Sequence, residues 1–503
     1  MAISSKSLPA HHAPSLGIEG WGPEDEQILL GHVSLHDRSD QDHELRTAPL
    51  FTRQAYIKAG AQHTFPQRGL LGSILATPET EAQSAESKED SRIYVNTNAP
   101  FSAIVCGVQG SGKSHTVAVL LENMFVCNTS QIGRLEKPLS GLVLHVGEGG
   151  PDSQPSEAAW IGSAMIDSAV VPPITVYVSP SSLNTMQSVY AKVGSHVTVK
   201  PLLFNESELD AKAFLSLMAI GSSEGAPLYM QTILSILREL GERYTYQEFM
   251  IRLERKKQDL LPSQLTGLKQ RMELLESFLE KKPSYGKKRQ AAPVRFAAGQ
   301  LTIVDLSDPF IDSGSACGFF EILTRLFVRA KVNTGKVLVV DEAHKYLTAN
   351  KGDSGLTKEL SSLVRQQRHQ AMRVIISTQG KMEHALSNIT QILTNRDDCA
   401  EPNVIPPVLL DLCSVAILHR FSSPSWWEHV SKHVATNMTS AEAFDKVVSL
   451  QTGQAIVLAP SGLGMFVGRD GKLSLHQYGR RWLLVKTRRR VTKDGGASIL
   501  VVN

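Results

Sequence analysis

The stretch Gly107-Val-Gln-Gly-Ser-Gly-Lys-Ser114 fits the pattern G-x-x-x-x-G-K-[ST] at every fixed position. Residues 101–106 before it form a short apolar run typical of a buried strand, and residues 115–124 after it are apolar at helical spacing. Strand, glycine loop and helix therefore follow in the order that a phosphate-binding loop needs. The glycines let the backbone wrap closely, so that its N–H groups and the helix N-terminus face a polyphosphate.

The same stretch predicts individual roles around a bound nucleotide. Lys113 would reach the β- and γ-phosphates of ATP, and the Ser114 hydroxyl would ligate Mg²⁺. The alternative is a glycine turn that happens to end in Lys-Ser, which the flanking strand and helix disfavour. The predicted nucleotide-binding residues are Gly107, Gln109, Gly110, Ser111, Gly112, Lys113, Ser114 and His115.

Two carboxylates follow a second apolar strand, in the run Lys336-Val-Leu-Val-Val-Asp-Glu342. Asp341 at the strand tip would hold the Mg²⁺ shell, and Glu342 beside it would polarise the attacking water. A pair of acids after a strand is common by itself, so an incidental pair is the alternative. A strand-end Glu is usual in ATPases that do mechanical work and rare in nucleotide kinases and GTPase switches. The pair therefore favours ATP hydrolysis coupled to motion.

A third element comes later in the chain. Residues 360–373 are typical of a helix, and 374–379 of a strand that ends in a polar residue. Gln379 would sense the γ-phosphate or orient water; the alternative is a glutamine that caps a loop. Arg365 and Arg368 are three residues apart and would share a helix face. Arg368 is either an arginine finger offered to a neighbouring subunit or part of a solvated basic face.

Together these motifs resemble the HerA/FtsK superfamily of hexameric DNA-pumping ATPases, and HerA-like members, among them uncharacterised fungal proteins, most closely. The resemblance is carried by the loop 107–114, by Asp341-Glu342, by the run from Arg368 to Gln379, and by a late glycine-then-strand segment at 450–458. It covers about 95–490, but only the three motif regions are specific.

The resemblance implies an α/β fold of the P-loop NTPase class, RecA-like and of ASCE type, with a parallel sheet, helices on both faces and a helical insertion. It implies ATP and Mg²⁺ as cofactors, with Glu342, Gln379 and Arg368 as catalytic residues, and Ser114 and Asp341 as metal ligands. It also implies a homo-oligomer, a hexamer, that contacts DNA through pore-facing Lys and Arg side chains.

The pattern divides the chain into three parts. Residues 1–94 are an N-terminal region, partly disordered, with possible strands at 27–33 and 50–57. Residues 95–490 are the ATPase domain, and 491–503 are a C-terminal tail.

The N-terminal region departs from the HerA pattern. Residues 1–25 and 77–92 have a composition typical of disorder. HerA proteins usually begin with a substantial β-barrel that helps to assemble the ring. We therefore expect the ring-assembly module to be truncated or absent, which puts hexamer formation in question.

Alternating elements along the chain predict a parallel sheet covered on both faces. Between strands at 197–204 and 301–306 the pattern is helical, and 206–285 is the predicted insertion. Its helix from Pro262 carries an apolar stripe typical of a core face. Strands are predicted at 102–107, 141–146, 174–178, 197–204, 301–306, 336–341, 373–378, 414–420, 454–459 and 482–489. Helices are predicted at 113–125, 208–219, 228–242, 245–257, 263–281, 316–331, 357–371 and 425–435.

Composition indicates an intracellular globular enzyme, in the nucleus or the cytoplasm. The 503 residues are 42% hydrophobic, without an apolar run long enough to span a membrane or a secretion signal, so we expect no membrane partner. Five cysteines without C-x-x-C spacing argue against a zinc site. The net charge of +3 does not by itself indicate DNA binding. Basic residues cluster at 281–289, 480–481 and 486–493. The first cluster is either a DNA contact or a solvated linker, and the last is either a DNA contact or a basic tail or localisation signal.

Residues 380–400 interrupt the family pattern, in which Thr-Gln is followed by one residue and then Pro. Removing them joins Gln379 to Glu401-Pro402 and restores it. Gly-Lys, Thr-Asn and the Ala before Glu401 can be encoded as a splice donor, a branch point and an acceptor. We therefore interpret 380–400 as a translated intron; the alternative is a genuine surface loop.

The sequence favours an ATP-hydrolysing motor that acts on DNA as a translocase or helicase. An ATP-dependent switch or scaffold that never moves along DNA is the alternative, favoured by the short N-terminus. A nucleotide kinase ranks last because no lid-like Arg pair is visible.

Overall fold

The computed structural model describes residues 39–83, 90–218, 229–280, 294–347, 355–379, 405–434, 436–467 and 471–496. The described strands are β1 (Leu50–Thr52), β2 (Arg68–Ala76), β3 (Arg92–Val95), β4 (Ser102–Cys106), β5 (Gly133–Arg134), β6 (Ser140–His145), β7 (Ile174–Val178), β8 (Val197–Pro201), β9 (Leu301–Asp305), β10 (Lys336–Val340), β11 (Met372–Thr378), β12 (Val415–Leu418), β13 (Gln454–Leu458), β14 (Leu463–Val467), β15 (Leu473–Gln477) and β16 (Trp482–Thr487).

The described α-helices separate these strands. They are α1 (Ser39–Thr47), α2 (Arg53–Lys58), α3 (Pro78–Gln83), α4 (Lys113–Phe125), α5 (Leu183–Tyr190), α6 (Ala211–Met218), α7 (Tyr229–Leu240), α8 (Tyr246–Lys256), α9 (Pro262–Ser277), α10 (Ser313–Arg329), α11 (Gly355–Gln366), α12 (Pro407–Leu412), α13 (Pro424–Ser431) and α14 (Ser440–Ser449). None of the helices described is long and apolar enough to cross a bilayer.

One mixed sheet contains all these strands, in the order β15-β14-β1-β3-β2-β16-β13-β12-β4-β11-β10-β6-β9-β7-β8, with β5 paired to β2. From β12 to β8 every strand runs parallel to its neighbour. β13, β16, β2 and β3 extend the sheet with antiparallel pairings. The predicted parallel sheet is therefore confirmed, and it forms one side of a larger, mixed sheet.

Helices cover both faces of the parallel part because successive side chains of a strand point to opposite sides. In β4, Ile104 and Cys106 join a buried cluster that includes Phe319 of α10 and Leu360 of α11. Ala103, on the other face, packs in the cluster formed with α4 and α5. The glycine-loop helix α4 and the helical segment 206–278 therefore lie against opposite faces.

The helical pattern predicted between β8 and β9 is present in the residues described there, as α6 to α9. On α9 the predicted apolar stripe is buried at Leu268, Met272 and Leu275, whereas Leu265 is exposed. This segment adds its apolar side chains to the core on the α10 face of the sheet.

The N-terminal part differs from two predictions. The strand predicted over 50–57 ends at Thr52, whose hydroxyl accepts a hydrogen bond from Ala55 N at 3.1 Å and caps helix α2. Residues 78–83, predicted to be disordered, form α3. Residues from Thr47 onward form one compact unit, so β1 to β3 belong to the same unit as the glycine loop. The predicted strand 27–33 and the disorder predicted for 1–25 lie outside the described residues.

The strand ends bring the functional motifs to one edge. β4 pairs with β11 so that Cys106 lies opposite Thr378, and β10 lies between β11 and β6 in register. Parallel strands end at the same edge of a sheet, so the residues that close or follow them meet there. The edge formed by the ends of β4, β11, β10 and β6 is called the nucleotide edge below. The suspected insert 380–400, directly after Gln379, is outside the described residues.

Candidate nucleotide site

The glycine loop takes the conformation that its sequence demands. A side chain at Gly107 would put its Cβ 2.6 Å from the Ser111 Oγ and 2.7 Å from the His419 Cβ, so no larger residue fits. Gly112 has φ of 109°, in the left-handed region that favours glycine, and lies directly before α4. The loop therefore leads into the helix N-terminus with its backbone N–H groups free of helical pairing, as phosphate binding requires.

Lys113 is inside this loop, with only 4% of its surface exposed. Its ammonium donates to the Val108 carbonyl at 3.0 Å. Burial lowers the pKa of the ammonium, and the nearby carboxylates of Glu342 and Asp341 act in the opposite direction. The loop lysine and the two strand-end acids, far apart in sequence, thus interact electrostatically across the nucleotide edge.

Ser114 and Asp341, the two predicted metal ligands, line one small cavity of about 10 Å³. Burial alone would raise the pKa of Asp341, but a hydrogen bond with His145 at 2.9 Å and the charge of that imidazole outweigh it, and the pKa is lowered. Burial alone would likewise lower the pKa of His145, yet Asp341 raises it. An ionised carboxylate facing a serine hydroxyl is a set of hard oxygen ligands that fits Mg²⁺.

Sequence reasoning missed His145, which orients the Asp341 carboxylate. It closes β6, the strand next to β10. A polar residue that ends an apolar strand is visible in the sequence, but only the strand order shows that it lies beside the acid-bearing strand.

Glu342 and Gln379, which the sequence predicts as separate catalytic residues, are hydrogen-bonded to each other. The Gln379 amide donates to both carboxylate oxygens of Glu342 at 2.9 Å each. Glu342 has φ of 50° and ψ of 40°, a conformation that costs a non-glycine residue roughly 1–3 kcal/mol and that clusters at functional sites. Gln379 N donates to His344 Nδ1 at 3.3 Å, so the Nε2 of His344 carries the proton, 3.5 Å from Glu342 Oε2.

His419 packs against the glycine loop at Gly107, a contact that the sequence analysis does not predict. Its Nδ1 is 2.8 Å from the Gln454 carbonyl, which can only accept, so Nδ1 carries the proton. Its Nε2 therefore accepts from the Thr116 hydroxyl at 3.0 Å. Burial lowers the pKa of His419 to about 4, which keeps the ring neutral. The neutral ring thus links helix α4 to the end of β12 and the start of β13.

Two arginines of the predicted basic tail or DNA-binding stretch, Arg488 and Arg490, are paired within the chain. Arg488 donates to Glu122 of α4 at 2.7 Å, and Arg490 is paired with Glu157. Glu122 is fully buried and also accepts from the backbone of Val491 at 3.0 Å. These arginines hold the segment against α4, so Arg488 and Arg490 are not available to nucleic acid.

His115, a predicted nucleotide-binding residue, has its side chain directed at the C-terminal segment. Its Nε2 is 2.8 Å from the Arg488 carbonyl, and its Nδ1 lies 3.7 Å from Asp494. The imidazole thus binds the C-terminal segment instead of reaching into the loop. Among the other predicted loop residues, Gln109 and Gly110 are exposed.

Arg368 lies away from these groups. Helix α11 ends at Gln366, not at 371 as predicted, so Arg368 is in the turn before β11 and not on a helix face shared with Arg365. Seven residues of β11, about 20 Å at strand spacing, separate this turn from Gln379. Arg368 is exposed at the opposite edge of the sheet. Its side chain therefore does not reach the loop of its own subunit.

The strand order completes the assignment of the fold class. β11, with Gln379 at its end, lies between the glycine-loop strand β4 and the acid-bearing strand β10. This order places the polar end of β11 between the glycine loop and the two acids. The fold is that of a P-loop NTPase.

Comparison with known proteins adds similar folds. A scan against protein families found no match, and no curated protein matches the sequence. Among solved structures, the chain is similar to VirB4 of Thermoanaerobacter pseudethanolicus, at 13% identity over 84% of this chain and 96% of that one, with a TM-score of 0.41.

Two further solved structures are similar to the chain. The bacterial conjugative coupling protein TrwBdeltaN70 has 10% identity over 82% of this chain and 93% of that one, at a TM-score of 0.40. The genome packaging NTPase B204 from Sulfolobus turreted icosahedral virus 2, in complex with AMP, has 12% identity over 75% of this chain and 97% of that one, at a TM-score of 0.28. Because the identities are low and the TM-scores lie below 0.5, the fold class rests on the strand order and the loop geometry.

Proposed function

We propose that the protein is a Mg²⁺-dependent ATPase of the HerA/FtsK type that works as a motor on DNA. The observation that carries this proposal is the hydrogen bond of 2.9 Å from the Gln379 amide to the Glu342 carboxylate. Gln379 follows β11, which lies between the loop strand β4 and the acid-bearing strand β10. A carboxylate beside a phosphate-binding loop is placed to take a proton from water, and a strand-end amide beside it is placed to respond to the γ-phosphate.

Each residue at the nucleotide edge has a distinct task in this reaction. The loop N–H groups and Lys113 bind and orient the phosphates. Ser114 and Asp341 would hold Mg²⁺, which when bound supplies positive charge to the phosphate oxygens. Glu342 accepts the proton of the attacking water, and Gln379 positions Glu342 for this.

The motor proposal is supported by the strand-end Glu342 and Gln379 and by the resemblance at the motif residues. The second candidate, an ATP-dependent switch or scaffold, is supported by Arg488 and Arg490, which are engaged within the chain instead of facing a ligand. The two candidates differ in whether DNA accelerates ATP turnover, because only a motor couples ATP hydrolysis to movement along DNA.

Phosphate release with no DNA, with single-stranded DNA and with double-stranded DNA separates the candidates. A motor should be stimulated several-fold by one form. Lys113→Ala, which loses the phosphate ligand, should show no turnover in any condition and gives the background. Equal turnover of the unaltered protein in all three conditions would contradict the motor proposal and favour the switch. Turnover no higher than the Lys113→Ala background would contradict both candidates.

Arg368 is proposed to act on the nucleotide of a neighbouring subunit, since it is exposed at the far edge of its own. Arg368→Ala should then lose about 10³-fold in turnover with unchanged ATP affinity. Mixing it with Glu342→Gln should restore part of the activity, because some interfaces pair an intact Arg368 with an intact Glu342. If no mixing ratio restores activity, Arg368 is a surface arginine.

A further inference from the structure

A second polar cavity lies at the opposite end of the glycine-loop helix. It has a volume of about 320 Å³ and is lined by residues that follow α4, such as Asn128 and Ser130, and by Arg68 and Arg134 from the paired strands β2 and β5. Helix α4 has 13 residues, so the cavity is about 20 Å from the loop. Its volume is in the range of small-molecule sites, and the nucleotide site does not use it.

Arg68 is the unusual group in this cavity. Its guanidinium stacks 4.3 Å from the ring centroid of Tyr56 and 5.7 Å from that of Tyr94. Its Nε is fully buried without a hydrogen-bond partner. Among the residues that the structure describes, the Arg68 side chain has no hydrogen-bond or ion-pair partner. The two rings therefore hold in place a guanidinium whose buried Nε has no acceptor.

The charges around the cavity favour an anion. Arg134 lies directly across the strand pair from Arg68, which places two like charges on adjacent strands. Glu136 pairs with Arg134 at 2.6 Å, but no Asp or Glu lines the cavity itself. The C-terminal end of α4 contributes only a partial negative charge, which the Arg68 guanidinium by itself exceeds.

We propose that this cavity binds a phosphate group, with Arg68 as its main ligand. A phosphate supplies the acceptors that a half-buried guanidinium lacks, and the planar fork of arginine binds it through two hydrogen bonds. Asn128 and Ser130 add neutral donors at the cavity wall. The phosphate belongs either to a small phosphorylated ligand or to a DNA backbone. The proposal does not depend on ATP hydrolysis.

The test uses the full chain with Lys113→Ala, because the glycine loop would otherwise bind phosphate itself. Titration calorimetry with inorganic phosphate, and anisotropy with a labelled 20-nucleotide single strand, measure binding. We expect the Lys113→Ala chain to bind inorganic phosphate and Arg68→Gln added to it to weaken binding at least tenfold, the loss expected for a hydrogen bond to a charged group. If Arg68→Gln weakens phosphate alone, the site takes small ligands; if it weakens both probes, the site takes DNA.

Arg53→Gln is the matched control. Arg53 also stacks on Tyr56, at 5.3 Å, but does not line the cavity, so phosphate affinity should change less than twofold. Equal weakening by Arg53→Gln would show a general charge effect and overturn the proposal. So would an absence of phosphate binding in the Lys113→Ala chain, or no change with Arg68→Gln.

Stability and turnover complete the test. Arg68→Gln alone should leave ATP turnover unchanged, which separates this site from the nucleotide edge. If Arg68→Gln does not fold, Arg68→Lys replaces it, because lysine keeps the charge and the ring contact but loses the fork. Arg68→Lys should weaken phosphate binding about threefold or more, and unchanged binding would overturn the proposal.

Discussion

The glycine loop 107–114 and the C-terminal segment 486–494 contact the same helix, α4, yet they relate to the sequence in opposite ways. In the loop, neighbouring residues decide the geometry: Gly112 allows a backbone conformation, and Lys113 acts directly after it. In the C-terminal segment, Arg488 takes its role from Glu122, which is 366 residues away. A pattern in the sequence thus reveals chemistry that is local in the chain, but it misreads charges whose partners are distant.

We therefore expect changes at the nucleotide edge to alter the rate of ATP hydrolysis, and changes in the C-terminal segment to alter the free energy of unfolding. Glu342→Gln should reduce turnover about 10²–10⁴-fold, since it removes the proton acceptor. ATP affinity and the free energy of unfolding should change little. Single-turnover hydrolysis, nucleotide titration and urea unfolding measure these three properties.

Asp341→Asn is the matched change one residue earlier. It should weaken the dependence of ATP binding on Mg²⁺, because it removes a charged ligand that His145 orients. If both variants lose ATP affinity equally, the division of roles between these acids is wrong.

Glu122→Gln tests the other side of the comparison. The buried carboxylate accepts from Arg488, from two backbone N–H groups and from the Thr492 hydroxyl at 2.6 Å. An amide of the same shape presents its NH₂ to donors and leaves arginines unpaired. We expect a loss of about 3–5 kcal/mol in the free energy of unfolding, measured in urea.

Glu79→Gln is the control for Glu122→Gln. Glu79 pairs with Arg481 at 2.7 Å on the surface, and its removal should cost less than about 1 kcal/mol. Equal losses in the two variants would mean that the C-terminal segment is not fixed through Glu122.

Elements that depend on local sequence are predicted well, and those that depend on distant partners are not. Every predicted strand of the parallel sheet is found, because buried parallel strands are continuous apolar runs. β2 was missed: its Gly72 reads as a turn, but a side chain there would meet the Lys486 carbonyl of β16 at 2.1 Å. Helix α14 was also missed, although Thr439 and Glu442 form a capping box that the sequence displays.

The candidate site shows the same limit. No local pattern indicates that Gln379 contacts Glu342, because that pairing depends on the order of the strands in the sheet. His145 and His419 were missed since each acts on a residue of another element. The prediction that Arg365 and Arg368 share a helix face is wrong, because α11 ends at Gln366.

The smallest effect is expected from residues 380–400, which follow Gln379 at the nucleotide edge. The translated-intron interpretation predicts that a variant without them, in which Gln379 is joined to Glu401, is at least as stable and a few-fold more active. The reason is that Gln379 binds Glu342, so extra chain attached directly to Gln379 loosens the pair that positions the water.

A second variant, with 380–400 replaced by a glycine-serine linker of equal length, separates the length of this segment from its sequence. If the segment only loosens Gln379, the linker variant should match the unaltered chain and the deletion should exceed both. Turnover at saturating ATP and the midpoint of thermal unfolding measure the effects. A deletion that is less stable or less active, or transcripts that always retain the segment, would show a genuine loop. The nucleotide edge would then depend, like Arg488, on residues that the local pattern does not reveal.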